Sequence, residues 1–347
     1  MTIKYYEDKE IVKNKKSIFL AGPTPRNLEV QSWRPKAIQI LKNFGFDGDV
    51  FCPEFKIEKF GDLEYKEIID WELEHLDRSS IILFWVPREL NNMPAFTTNV
   101  EFGYYLKSGK VIYGRPDDSP KNKYLDYLYE KEYKQKPAKS LEETINRCLN
   151  KLKDKEPQTF YTSDTHFGSE RTLKFSSRPY KTTQEMDDDL IRKWNFKISA
   201  NDIVYHLGDF GNFDIVDKLN GKIILILGNY EKKEMKENFD GNFENYKKML
   251  IEKGFLDVIE NGMYVNLNDE KVYLTHEPLD CKYNVFCLFG HIHEKCMCKK
   301  FGFNVGIDCS NYSPFSENEV LFYKNAIQNH YDNNVFCTLQ DIKSKDE

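Results

Sequence analysis

Five short segments in the second half of the chain set metal-binding side chains beside a small residue or at the end of an apolar run. They are Asp164-Thr165-His166, Gly208-Asp209, Gly228-Asn229, Thr275-His276 and Gly290-His291-Ile292-His293. Three directly follow or close apolar stretches such as Ile223 to Leu227. A strand that ends in a ligand and then turns sharply places that ligand at the sheet's carboxyl edge, where clefts form. One Asp-x-His pair arises by chance, but five such segments in a chain with only seven histidines specify a dinuclear metal site. Mixed Asp, His and Asn ligands without Cys suit Mn²⁺, Fe²⁺, Zn²⁺ or Ni²⁺, with manganese the favoured expectation. A bridging aspartate can hold two ions about 3.5–4 Å apart, the spacing that stabilises both attacking and leaving oxygens in phosphoryl transfer.

This arrangement resembles the calcineurin-like metallophosphoesterases from about Phe160 to Pro314. The resemblance implies that Asp164, His166, Asp209 and His293 hold one ion. Asp209, Asn229, His276 and His291 would hold the other, with Asp209 bridging. Phe167-Gly168, Ser177-Arg178-Pro179-Tyr180, Trp194-Asn195 and Tyr205-His206-Leu207-Gly208-Asp209 resemble a compact phage and bacterial branch of that family. The family usually reads Gly-Asn-His-Asp/Glu, its His acting as a general acid beside the leaving group. This chain reads Gly228-Asn229-Tyr230-Glu231. A tyrosine of pKa near 10 donates a hydrogen bond but is a poorer acid at neutral pH, so good leaving groups suffer least. His206 is either a core residue or an orienting partner of a ligand; His75 and His330 carry no signal.

In the first half, Glu101 stands out. It precedes Phe102-Gly103 and follows the polar segment Thr97-Thr98-Asn99, a placement that reads as the first turn of a helix and would favour the carboxylate anion. The run Ile18-Phe19-Leu20-Ala21-Gly22-Pro23, Ser32-Trp33-Arg34, Asp70-Trp71-Glu72, Leu83-Phe84-Trp85-Val86-Pro87, Glu101-Phe102-Gly103 and Gly114-Arg115-Pro116 resembles the nucleoside 2-deoxyribosyltransferase-like family over about Lys16 to Asp126. The resemblance implies that Glu101 attacks the anomeric carbon of a deoxyribosyl group, with a covalent intermediate resolved by a second base or by water. Its second acid maps onto Asp70 or Glu72, as proton donor to the leaving base. Gly22, Pro23, Thr98 and Asn99 fall where substrate would bind, and Trp71 and Trp85 are candidates to stack on a base. The base transferases carry an Asp before the nucleophile for the sugar 5′-hydroxyl. Here Ala95 to Asn99 has no acid and two Thr, which would tolerate a 5′-phosphate.

The elements that must position these residues are readable. Ser17 to Ala21, Val50-Phe51, Ile81 to Val86 and Lys110 to Tyr113 read as strands; Trp33 to Phe44, Tyr65 to Leu76 and Val100 to Lys107 read as helices. Buried apolar strands alternating with helices predict a parallel, Rossmann-like α/β sheet with helices on both faces. Ser140-Leu141-Glu142-Glu143 is a capping box for a helix with apolar Leu141, Ile145, Cys148, Leu149 and Leu152. A charged stretch closed by Pro157 follows, then a strand begins at Thr159. The expected domains are 1–154, deoxyribosyltransferase-like with this linker helix, and 155–347, a metallophosphoesterase αββα sandwich.

A net charge of −6 and a pI of about 5.8 give no basic footprint for duplex nucleic acid. Apolar runs of about eight residues fall short of the roughly 18 a membrane helix needs, and the polar N-terminus offers no secretory signal. Eight cysteines without CxxC pairs point to free thiols in a cytoplasmic enzyme. The transferase family often completes its sites across subunits, so a homo-oligomer is expected. Three functions fit: a bifunctional enzyme that cleaves or transfers across the N-glycosidic bond of deoxynucleosides or their 5′-phosphates and hydrolyses a phosphoester; a defence, counter-defence or signalling enzyme cleaving NAD or a cyclic nucleotide; and a nucleotide-binding protein with a weakened phosphoesterase half.

Overall fold

A computed structural model describes residues 1–8, 16–27, 29–56, 64–154, 156–268 and 270–330. The chain divides into two compact units, Met1–Glu156 and Pro157–Glu347. No described helix is long and apolar enough to cross a membrane.

The first unit is built on a five-stranded sheet of order β1-β3-β2-β4-β5. Its strands are β1 (Thr2–Lys4), β2 (Ser17–Ala21), β3 (Asp49–Phe51), β4 (Ile81–Trp85) and β5 (Val111–Gly114), and every pairing is parallel. The helices are α1 (Arg34–Asn43), α2 (Tyr65–Arg78), α3 (Phe96–Tyr105), α4 (Lys123–Tyr133) and α5 (Leu141–Asp154). Period-two side chains send Ile18, Leu20, Ile81, Leu83 and Trp85 to one face, where Ala37, Ile38 and Leu41 of α1 and the apolar stripe of α5 cover them. On the other face Phe84 meets Phe102 of α3 edge-on at 5.2 Å, and Phe19 approaches Trp71 of α2 at 6.2 Å. The start of α5 is fixed as its sequence suggests: Ser140 Oγ accepts from the Glu143 N–H, and Glu143 accepts from the Lys139 N–H.

α3 departs from the sequence reading. It begins at Phe96, not Val100, immediately after Pro94 and an Ala95 cap held at φ 60°. The Thr97-Thr98-Asn99 segment, whose residue types suit caps and turns, is therefore the helix's first turn, and Glu101 is its sixth residue.

The second unit holds two sheets. One has the order β15-β6-β7-β8-β9, formed by β6 (Thr159–Thr162), β7 (Ile203–His206), β8 (Lys222–Ile226), β9 (Asp257–Ile259) and antiparallel β15 (Phe315–Ser316). The other has the order β10-β11-β12-β14-β13, from β10 (Gly262–Leu267), β11 (Glu270–Thr275), β12 (Phe286–Phe289), β13 (Cys298–Lys299) and β14 (Gly302–Asn304). The sheets face each other: Tyr161 and Ile226 of the first share one core with Val272, Leu274, Leu288 and Phe303 of the second. Alternate residues Phe160, Val204, Ile223 and Leu225 point the other way, onto Met186, Leu190 and Trp194 of α7 (Thr183–Lys197) and Tyr246 and Leu250 of α9 (Phe243–Glu252). The short α6 (Glu170–Phe175), α8 (Asn229–Asn238) and α10 (Glu317–Asn325) complete the unit.

Candidate functional sites

In the second unit the ligand-type residues stand just beyond strand ends: Asp164 and His166 after β6, Asp209 after β7, Asn229 after β8, His276 after β11, and His291 and His293 after β12. Five of these seven lie in the left-handed backbone region, with φ of 58° at Asp164, 48° at His166, 57° at Asp209, 69° at His291 and 48° at His293. Side chains other than glycine's rarely adopt that region, and it costs of order 1–3 kcal/mol per residue. The turns persist because they are bonded to one another: Asp164, His166 and Phe167 N–H groups donate to Gly208, Asp209 and Phe210 carbonyls at 3.0, 3.0 and 2.9 Å. The small residues beside the ligands have a steric reason. A Cβ on Gly228 would stand 2.3 Å from Asp209 Oδ1, and one on Gly290 would stand 2.4 Å from Asp164 Oδ2.

The side chains form two clusters, Asp164 with His166 and His293, and Asp209 with His276 and His291, each offering ligand atoms within 4.8 Å of one another. Asp209 Oδ2 lies 3.5 Å from both His166 Nε2 and His276 Nε2, between the clusters. Asn229 Oδ1 is 3.0 Å from His276 Nε2 and 3.1 Å from His291 Nδ1.

The donor set fits divalent transition metals. Asp164 Oδ1 and His166 Nε2 are buried with no hydrogen-bond partner, a costly state that a cation would relieve. The His276 Nδ1–H donates to the Leu207 carbonyl at 2.7 Å, which turns Nε2 toward Asn229 Oδ1 and the ligand cluster. Burial raises the Asp209 pKa, with the Glu231 and Asp164 charges adding to the rise and His276 opposing it. His166 is pushed down to about 2 by burial and by His293 and Arg178, which leaves a neutral imidazole suited to ligation.

Several supporting residues carried no assigned role in the sequence. Asp308 Oδ2 accepts from His293 Nδ1 at 2.7 Å, and Arg178 holds the same carboxylate by donating from Nε to Oδ1 at 2.7 Å and from Nη2 to Oδ2 at 2.9 Å. Arg178 also donates to the Asp164 and Thr165 carbonyls, so one buried guanidinium fixes a ligand turn and the carboxylate behind a ligand histidine. Arg178 lies in the Ser177-Arg178-Pro179-Tyr180 motif, whereas the sequence around Asp308 has no such pattern. Buried Glu231 accepts from the Asp209, Phe210 and Gly228 N–H groups, each at 2.8 Å, and locks two ligand loops together. His206 is packed: the Thr165 hydroxyl donates to the Phe210 carbonyl, so it accepts from His206 Nε2 at 2.9 Å. Tyr230 is 41% exposed at the rim of a cavity of about 340 Å³ above the ligands, its ring edge-on to His166 at 5.1 Å.

The first unit has its own cavity, about 200 Å³, at the carboxyl ends of β2 and β3. Glu72 of α2 and Glu101 of α3 both line it, with Gly22, Pro23, Thr98 and Arg34. Asp70 is exposed and does not line it, so the structure separates the two candidate acids. Glu72 accepts a short hydrogen bond from the Tyr6 hydroxyl. The Glu101 pKa rises to about 7, through burial and then the charge of Glu72, with Arg34 opposing. Glu101 is the sixth residue of α3, past the first turn in which the helix dipole would favour its anion. Burial also raises Glu72, with its Tyr6 hydrogen bond and Arg34 acting against the rise.

Arg34 is almost fully buried and knits the loop after β2: it donates to Leu20 and Gly22 carbonyls at 3.0 and 2.6 Å, and to Thr24 Oγ1 and Glu54 Oε1 at 3.0 and 2.9 Å. A Cβ on Gly22 would lie 2.2 Å from the Trp85 carbonyl oxygen, so only glycine fits. The expected stacking residues are placed elsewhere. Trp85 is in the core with Trp33 and Leu83, and Trp71 stacks on His75 at 3.9 Å while its indole N–H donates to the Asp8 carbonyl. Both rings are buried as apolar bulk. Asn99 is also outside the cavity lining, its side chain accepting from Arg88 at 2.7 Å.

Residues 15–119 match the family model described as nucleoside 2-deoxyribosyltransferase like, and residues 159–306 match the calcineurin-like phosphoesterase superfamily domain. An uncharacterized protein of Methanocaldococcus jannaschii is 29% identical over 176 residues, 45% of this chain and 85% of that protein. Among solved structures, a protein of unknown function from Aquifex aeolicus aligns at 21% identity with a TM-score of 0.39, over 48% of this chain and 100% of its own. A structure described as a novel archaeal phosphodiesterase aligns at 19% identity with a TM-score of 0.26, over 43% of this chain and 82% of its own. The chain joins an N-terminal nucleoside 2-deoxyribosyltransferase-like domain to a C-terminal calcineurin-like phosphoesterase domain.

Proposed function

We propose that the chain is a bifunctional enzyme of nucleotide metabolism, with the domains divided near residue 154. The N-terminal domain breaks the N-glycosidic bond of a deoxynucleoside or its 5′-phosphate, and the C-terminal domain hydrolyses a phosphoester at a dinuclear metal centre. The observation that carries the reading is the pairing of two complete sets of chemical groups: Glu72 with Glu101 in one cavity, and two ligand clusters around Asp209 in the other.

In the N-terminal site a Glu101 oxygen bonds to C1′ as the C1′–N bond breaks, and Glu72 gives its proton to the leaving base. Water then attacks C1′, Glu72 takes its proton, and Glu101 is released. Burial raises the pKa of both carboxyls, and the charge of Glu72 adds to the rise at Glu101. Thr97 and Thr98 at the cavity wall, with no acid among 95–99, suit a 5′-phosphate.

In the C-terminal site Asp164, His166, Asp209 and His293 would hold one ion, and Asp209, Asn229, His276 and His291 the other. The bound pair supplies an activated water and neutralises charge on the phosphoryl group. Tyr230, at the rim, donates a hydrogen bond to the leaving oxygen. A substrate-trapping experiment tests the first half: mass spectrometry with a slow deoxynucleotide should show a sugar adduct on the peptide containing Glu101. Base release with an adduct on Glu72, or turnover in Glu101→Ala, removes Glu101 as nucleophile.

A further inference from the structure

We infer that the phosphoesterase cavity takes a nucleotide carrying a second phosphate group, held by a cationic rim outside the metal ligands. This rests on the reading of that cavity as a phosphoesterase site and narrows its substrate class. Beyond the ligands, the wall carries Arg171, Lys233 and Lys295 with the aromatic rings of Phe175 and Tyr230. The three cations arrive from separate elements: α6, α8 and the short turn His293–Lys295 after β12. In a chain of net charge −6, that convergence is local.

The rim charges are poorly neutralised. Arg171 and Lys295 make no ion pair with any described residue; the Lys295 ammonium stands 5.3 Å over the Phe175 ring. Lys233 has only a 3.8 Å contact with Glu237, with both side chains mostly exposed. Asp209, already a ligand candidate, is the one carboxylate among the residues lining the cavity. Cations gathered at a cavity mouth repel each other and focus their field on an entering anion. The reacting phosphate would be engaged by the metal centre, which leaves the rim for a second one. A volume of about 340 Å³ falls in the range of small-molecule sites, which favours a nucleotide over a polymer. Phe175, 60% exposed, and Tyr230 offer ring surface at the mouth for a base.

The test compares adenosine 3′,5′-bisphosphate, adenosine 5′-monophosphate and a single-stranded DNA oligonucleotide as competitors of aryl phosphate ester hydrolysis by the metal-loaded protein. Their effects on its thermal midpoint give a second readout that needs no turnover. The bisphosphate should bind about tenfold more tightly than the monophosphate at low ionic strength. That advantage should fall below about twofold in the R171E/K295E variant and shrink with added salt. Equal affinity for the two nucleotides, an advantage unchanged by the double substitution, or tighter binding of the oligonucleotide would overturn the inference. Absence of any aryl ester hydrolysis would instead count against the phosphoesterase reading, and the midpoint shifts would still decide whether the rim selects a second phosphate.

Discussion

The two sites solve the problem of holding reactive groups in different ways. In the C-terminal domain five of the seven ligand-type residues sit in strained left-handed turns, fastened by backbone hydrogen bonds, by Glu231 and by Arg178. In the N-terminal domain Glu72 and Glu101 sit on ordinary helices, and their relation comes from how α2 and α3 pack against one sheet. A metal centre needs several donors converging on points, so local geometry is over-determined. A carboxylate pair needs only a shared cavity and a charge balance. The first design should fail abruptly when one member is removed, and the second should be tuned by changing charge.

The largest effect should come from the shared ligand. Asp209→Ala should lose both metal ions together and lower aryl ester hydrolysis on the order of a thousandfold or more. Elemental analysis showing one ion retained would mean that Asp209 does not bridge. Tyr230→His should raise alkyl ester turnover by about tenfold to a thousandfold while changing aryl ester turnover little, since only poor leaving groups need a strong acid. No gain on any ester, with both metals bound, would show that the tyrosine is not standing in for a missing acid and would favour a site specialised for binding.

Behind the ligands, Asp308→Asn should weaken metal affinity about 10- to 100-fold, because His293 loses the carboxylate that orients its ring. Competition with a chelator measures this, and unchanged affinity would leave Asp308 as packing alone. In the N-terminal domain the effect should be a displacement along the pH axis. If Glu101 acts as the anion, base release should rise with pH through about 7. Removing the neighbouring charge in Glu72→Gln should move that rise to lower pH by about one unit, since like charges raise each other's pKa. The residual activity of the variant carries the profile. A rate that falls as Glu101 ionises would exchange the roles of the two glutamates.

Legibility in the sequence followed the same division. The ligand turns were visible because a metal-binding side chain next to Gly or Thr at a strand end is a local pattern, and the steric contacts at Gly228 and Gly290 explain why the small residues are there. Asp308 was not visible, since it acts through His293 from a turn with no spacing signature. In the N-terminal domain β2 to β5 and α1, α2 and α5 followed from apolar runs and periodicity, whereas α4 and the short, half-buried β1 did not. The start of α3 did not, because two Thr and an Asn imitate a cap while the true cap is an Ala in left-handed geometry. The raised pKa of Glu101 was likewise not legible, because it comes from burial and from Glu72 on another helix. Trp71 and Trp85 illustrate the other limit: an aromatic beside a catalytic motif can be the core that supports the site and never touch its ligand.

The most direct test of two independent sites is a product assay on one substrate. A deoxynucleoside 5′-monophosphate incubated with the protein and Mn²⁺ should give both free base and inorganic phosphate. Glu101→Ala should then yield phosphate without base, and Asp209→Ala base without phosphate. Loss of both products from either folded variant, or neither product from the wild type on any deoxynucleotide, would contradict the account.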